Sequence, residues 1–82
     1  MMNMENNYMK KYEVRFTDNT EPQDYILSFD TKAEAEAAIK KDLQLFKAAW
    51  VDEDYDYGYF GNVTEIWISG GDKYARWERL FS

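Results

Sequence analysis

Asp52, Asp54 and Asp56 alternate through the run VDEDYDYGYFGN at 51–62, with Glu53 between them, and no other segment gathers as many side chains able to do chemistry. Alternating carboxylates open the calcium loop of an EF-hand, which needs hard oxygen ligands at every second position. The match ends early. The glycine falls at Gly58, one residue later than such a loop requires, and Val63 stands where a bidentate Glu should close the site. No metal centre is expected, and weak association with hydrated Ca²⁺ or Mg²⁺ is the most this run supports. The chain has no His and no Cys, which removes the commonest general base, thiolate nucleophiles, disulfides and the usual zinc ligands together. Catalysis would have to run on carboxylates, Tyr, Lys, Ser28 or Ser69. Paired carboxylates cleave glycosides only inside a cleft that encloses the sugar, and a single small core leaves little room for one. Ser69-Gly70-Gly71 opens no helix and so makes no phosphate loop. The expectation is a non-catalytic protein without a cofactor.

Recognition is the remaining chemistry. No Lys or Arg occurs from 48 to 72, whereas Asp52, Glu53, Asp54, Asp56, Glu65 and Asp72 all fall in that interval. Such acids either keep an aromatic loop hydrated, hold a cation, or steer the chain to a basic surface on another protein. In the third case Tyr55, Tyr57, Tyr59 and Phe60 supply large, stiff contact area at low entropic cost. A second candidate surface is the sheet face carrying Trp67, Tyr74, Arg76 and Arg15, with Ile26 and Glu13, because Trp, Tyr and Arg are enriched at binding hot spots. The plainer reading of Trp67 is a ring packed under arginine stems.

The elements that must position these residues follow from periodicity. At 82 residues the chain has room for one core and one domain, expected over 10–82 behind a disordered tail at 1–9. Tyr12, Val14 and Phe16 alternate with Glu13 and Arg15, predicting a strand over 11–17; Tyr25, Leu27 and Phe29 predict a second over 24–29. Thr31 and Glu34 have the spacing of a capping box, with Asp30 as rival cap. Ala35, Ile39, Leu43, Phe46 and Trp50 then recur at helical spacing, so a helix to about Trp50 should lay one apolar stripe on a sheet. Off the stripe, Glu36 and Lys40 are placed for an i, i+4 ion pair. Residues 51–62 read as a loop, 63–69 as a third strand, 69–72 as a turn able to hold positive φ, and 73–81 as a fourth strand. The expected fold is α+β: a two-layer sandwich with a four-stranded antiparallel sheet and one helix on one face, in the order β-β-α-β-β.

A net charge of −6 weighs against binding nucleic acid through phosphate neutralisation. No segment has the length and apolarity of a membrane helix or the pattern of a signal peptide, so a cytoplasmic protein with no membrane partner is expected. No family is evident in these residues. By class analogy alone, short acidic one-domain chains without catalytic residues look like the small inhibitors that phages and mobile elements direct against host nucleic-acid enzymes, anti-CRISPR proteins among them. The preferred expectation is such an inhibitor, imitating nucleic acid and bound to a basic surface of a protein partner. The alternatives are a homodimeric interaction module and a weak nucleotide or RNA binder through the aromatic sheet face.

Overall fold

The computed structural model describes residues 12–81, and the tail expected over 1–9 lies outside the described residues. Alternating apolar residues produce β1 (Tyr12–Asp18), and β2 (Gln23–Phe29) pairs back on it across a turn that contains Pro22. Helix α1 (Lys32–Ala49) follows. Thr31 prevails over Asp30 as its cap: the Thr31 hydroxyl accepts from the Glu34 N–H at 3.1 Å, and Glu34 Oε1 accepts from the Thr31 N–H at 3.2 Å. The reciprocal pair satisfies two donors that a helix start leaves orphaned. Beyond α1 come β3 (Tyr55–Phe60), β4 (Val63–Ile68) and β5 (Tyr74–Arg79).

Among the described residues the sheet has five strands rather than four, in the order β2-β1-β5-β4-β3, and every neighbouring pair is antiparallel. The extra strand is β3, cut from the segment that reads as a loop. Asp and Gly disfavour strands, which is why 51–62 looks irregular. Gly61 overrides them. At φ 63°, followed by Asn62 with no positive φ, it forms a two-residue reverse turn that sets Phe60 opposite Val63. Glycine at the first central position is the type II′ pattern, whose twist matches that of the flanking strands. The turn between β4 and β5 holds Gly70 at φ 75°, as its sequence anticipates.

Ala35, Ile39 and Leu43 of α1 bury against Val14, Phe16, Ile66, Ala75 and Trp77, with Phe46 and Trp50 extending the stripe in half-buried positions. Trp77 is the largest fully buried side chain, and its indole N–H donates to Asp42 Oδ2 on the helix at 3.3 Å. Tyr12, Phe29 and Leu27 lie on the helix side as expected. Tyr25 shares that side but stays exposed at the sheet edge. At the other end, Asn19 joins two loops: its side chain accepts from the Tyr74 N–H and donates to the Asp72 carbonyl. No helix among the described residues is long and apolar enough to cross a membrane.

Candidate interaction surface

One sheet face lies under α1, and among the described residues nothing covers the other. Strand alternation sends Ile66 to the core and therefore turns Trp67 the opposite way. The register then assembles the uncovered face in rows: Ile26, Arg15, Glu78, Val63 and Phe60 in one, Thr17, Arg76, Glu65 and Gly58 in the next, and Tyr74, Trp67 and Asp56 in a third. Phe60 lies back along its own strand over Gly58, where an added Cβ would stand 2.8 Å from Phe60 Cζ. This brings its ring centroid within 6.0 Å of Trp67. A side chain at 58 would push Phe60 away, so Gly58 is a packing requirement of the ring pair. Val63, opposite Phe60, is buried although it faces away from the helix.

The acids and aromatics of 51–62 do not form the single surface expected of them. Asp52, Glu53 and Asp54 are exposed in the turn after α1, beside the β4–β5 turn, where the Asp54 carbonyl accepts from the Ser69 N–H at 2.7 Å. Asp56 is a strand residue, directly opposite Trp67. Because side chains alternate along a strand, the tyrosines go to the helix side and only Asp56 and Phe60 share the uncovered face. Tyr55 packs against the core cluster. Tyr57 lies under Lys47, whose Nζ is 3.7 Å from the ring centroid, and meets Tyr59 edge-on at 6.3 Å. The aromatic partner of the acids is therefore Phe60 with Trp67. That pair escapes the sequence reading because it depends on the β3–β4 register, for which the two-residue Gly61-Asn62 turn was the available signal.

Trp67, Tyr74 and Arg76 do come together on the sheet face. Arg15 joins them but is already engaged, donating to Asp24 through Nε at 2.8 Å and Nη2 at 2.6 Å. That contact holds the Asp24 carboxyl below its usual range and raises the Arg15 guanidinium further above neutrality. Arg76 approaches Glu78 only to 3.9 Å. Glu13, Asp24, Asp56, Glu65 and Glu78 on this face outnumber Arg15 and Arg76, so it carries excess negative charge.

On the helix side, Glu36 does not pair with Lys40 as expected but reaches across to β5, where Arg79 grips both of its oxygens at 2.7 and 2.8 Å. A bidentate fork binds better than a point charge one helical turn away. Beside this pair, Ile39, Lys40, Leu43, Gln44, Tyr59 and Thr64 line a cleft of about 270 Å³. Among the described residues no three Asp or Glu side chains converge closely enough to hold a metal ion. The acids that alternate in sequence are separated by the turn-to-strand transition at Tyr55.

Comparison with protein-family models finds no match to this chain, and neither do comparisons with curated proteins and with solved structures. The surface itself is checked by solvent access. With 5-fluorotryptophan incorporated, a soluble paramagnetic agent should leave the Trp77 resonance sharp and broaden that of Trp67, because only Trp77 is sealed between the layers. Equal broadening of the two would contradict the assignment of faces.

Proposed function

We propose that this chain is a non-catalytic module that binds a basic surface of another protein, with an inhibitor of a nucleic-acid-binding protein as the preferred case. The observation carrying this reading is the position of Asp56 opposite Trp67, which links the exposed acids at 52–54 to the Phe60–Trp67 ring pair on an uncovered sheet face. Carboxylates act at a distance and raise the encounter rate with a positive groove, while rings hold the formed complex by burial. Phe60 is 54% exposed before any partner arrives, so it has surface left to bury. The excess of carboxylates on the same face weighs against the alternative of direct nucleic-acid binding.

Affinity capture from the native host supplies the partner, and binding kinetics with it provide the test. The double reversal Asp52→Lys with Asp54→Lys should slow association by about tenfold at low salt, with the loss shrinking as salt screens the charges. Phe60→Ala should leave association nearly intact and raise the dissociation rate by about tenfold or more, as loss of a buried ring does. Unchanged rates in both variants would remove the reading.

A further inference from the structure

Among the described residues, the outer edge of β3 carries backbone groups that no neighbouring strand uses. The bond from the Ser69 N–H to the Asp54 carbonyl fixes the alternation of the β3–β4 ladder. Asp56, Gly58 and Phe60 accordingly turn their amides and carbonyls toward β4, and Tyr55, Tyr57 and Tyr59 turn theirs outward. The Tyr57 N–H agrees with this, since it donates to the Asp56 side chain at 2.8 Å instead of to a neighbouring strand. Edges are usually blunted by Lys, Pro, a bulge or a covering element. The β3 sequence YDYGYF contains no Lys or Pro and pairs with β4 residue for residue. α1 packs mainly over β1, β2 and β4 and touches β3 where Lys47 lies over Tyr57, while Tyr59 remains 67% exposed. The opposite edge is better defended: Pro22 stands at the entry to β2, and Asp24 is tied to Arg15.

We infer that the β3 edge accepts an extended segment of the protein partner as an added strand, with basic side chains on the uncovered face and apolar side chains on the helix face. This rests on the binding reading above and names the form of the partner. Main-chain bonds to the Tyr57 carbonyl and to the Tyr59 N–H and carbonyl provide the attachment, and alternate side-chain sites provide the selection. On the uncovered face an incoming residue meets the Asp56 carboxylate and the exposed Phe60 ring, which together favour Arg by charge and by cation–π attraction. On the helix face it meets the Tyr57 and Tyr59 rings with Lys47 and Lys40 beside them, which welcome an apolar group and repel a base. The acids at 52–54 lie at the start of the same edge and extend the attraction along it. The two faces therefore specify a segment in which basic and apolar residues alternate.

The probe is the capped peptide Arg-Val-Arg-Val-Arg-Val-Arg, compared with an isomer of identical composition whose four arginines are contiguous. At low salt the alternating peptide should bind about tenfold more tightly than the isomer and slow amide exchange at Tyr59, as a new main-chain bond requires. Tyr59→Pro removes an outward N–H at an edge position where Pro is tolerated, and it should weaken binding about tenfold, the equivalent of one hydrogen bond with its desolvation. Tyr59→Ala, which keeps the N–H, should weaken it less. An alternating peptide N-methylated at every second residue, tested on the unaltered protein, gives the same answer should the Pro variant fold poorly: it should lose binding. Binding indifferent to N-methylation and to Tyr59→Pro, but lost on Asp56→Lys, would overturn strand addition and leave the acid–aromatic surface standing. Absence of binding by either peptide overturns strand addition, while the partner kinetics above judge the surface separately. Protection of Tyr59 that grows with protein concentration in the absence of peptide would identify a second copy of the chain as the occupant and also overturn it.

Discussion

Trp77→Ala is expected to unfold the domain or leave it at the limit of stability. The side chain is fully buried at the centre of the sheet, with ring centroids 5.5 Å from Phe16 and 5.6 Å from Phe46. Truncating a core Trp costs about 3 to 5 kcal/mol, because the lost transfer energy is joined by the cavity left behind. A chain of 82 residues has only about 4 to 12 kcal/mol in total. The indole also satisfies Asp42 on α1, so its removal loosens helix from sheet as well as emptying the core. Phe46→Ala should cost less, since Phe46 is half-buried toward the open end of the stripe. Urea unfolding monitored by circular dichroism measures both. A Trp77→Ala midpoint shifted by less than the equivalent of about 1 kcal/mol would show that the core is not centred on this ring.

The second large effect is expected at Arg79. Besides gripping Glu36, its guanidinium donates to Thr64 Oγ1 at 3.1 Å and to the Asn62 carbonyl at 3.3 Å, so one side chain joins the helix, β5 and the β3–β4 turn. Arg79→Ala should cost about 2 to 3 kcal/mol, below the figure for breaking a fully buried pair, because Glu36 can recover water. Glu36 keeps 39% of its side chain exposed and Arg79 17%. Arg79→Lys should be intermediate, since it keeps the charge and loses the fork.

The same pair sets a pH dependence. Hydrogen bonding from Arg79 is the main cause holding the Glu36 carboxyl below its ordinary value of 4.5; burial opposes this, while the Arg79 charge and Lys32 assist. A depressed folded pKa contributes stability that is fully present above the unfolded value and is lost as pH falls through the folded one. The stability gap between the parent protein and Arg79→Ala should therefore be widest near neutrality and narrow as pH falls below the carboxylate range. A gap of equal size at neutral and acid pH would mean that the pair contributes nothing through charge. Asp24 is depressed in the same direction by Arg15, but that pair lies in open solvent and should add little.

Much of this architecture is legible in short-range pattern. The capping box at Thr31 and Glu34, the stripe from Ala35 to Leu43, the alternation in 12–16 and the glycine turn near 70 each depend on residues within a few positions of one another. Local sterics and local hydrogen bonds decide them, and they appear as the sequence predicts. The orientation of Trp67 was also legible once Ile66 was assigned to the core, because alternation in a strand has only two outcomes. The candidate surface was legible in composition but not in arrangement. The run at 51–62 advertised acids beside aromatics, and both are present, yet the tyrosines and Asp56 point to opposite faces.

What the sequence by itself determined is the inventory: an acidic, His-free and Cys-free chain, one amphipathic helix, alternating strands, and an interval from 48 to 72 without a base. What only the tertiary structure decided is adjacency. β5 enters beside β1 at the middle of the sheet, β3 becomes an edge, Arg79 takes Glu36 away from Lys40, and Phe60 meets Trp67 on the adjacent strand. Each of these contacts joins residues whose meeting depends on strand order and register. A local run of residues carries its own propensity and period, but not the register that a distant strand will impose on it. Strand pairing is settled by the summed burial and hydrogen bonding of the whole sheet, so the surface formed by Asp56, Phe60 and Trp67 exists only once β3, β4 and β5 have found one another.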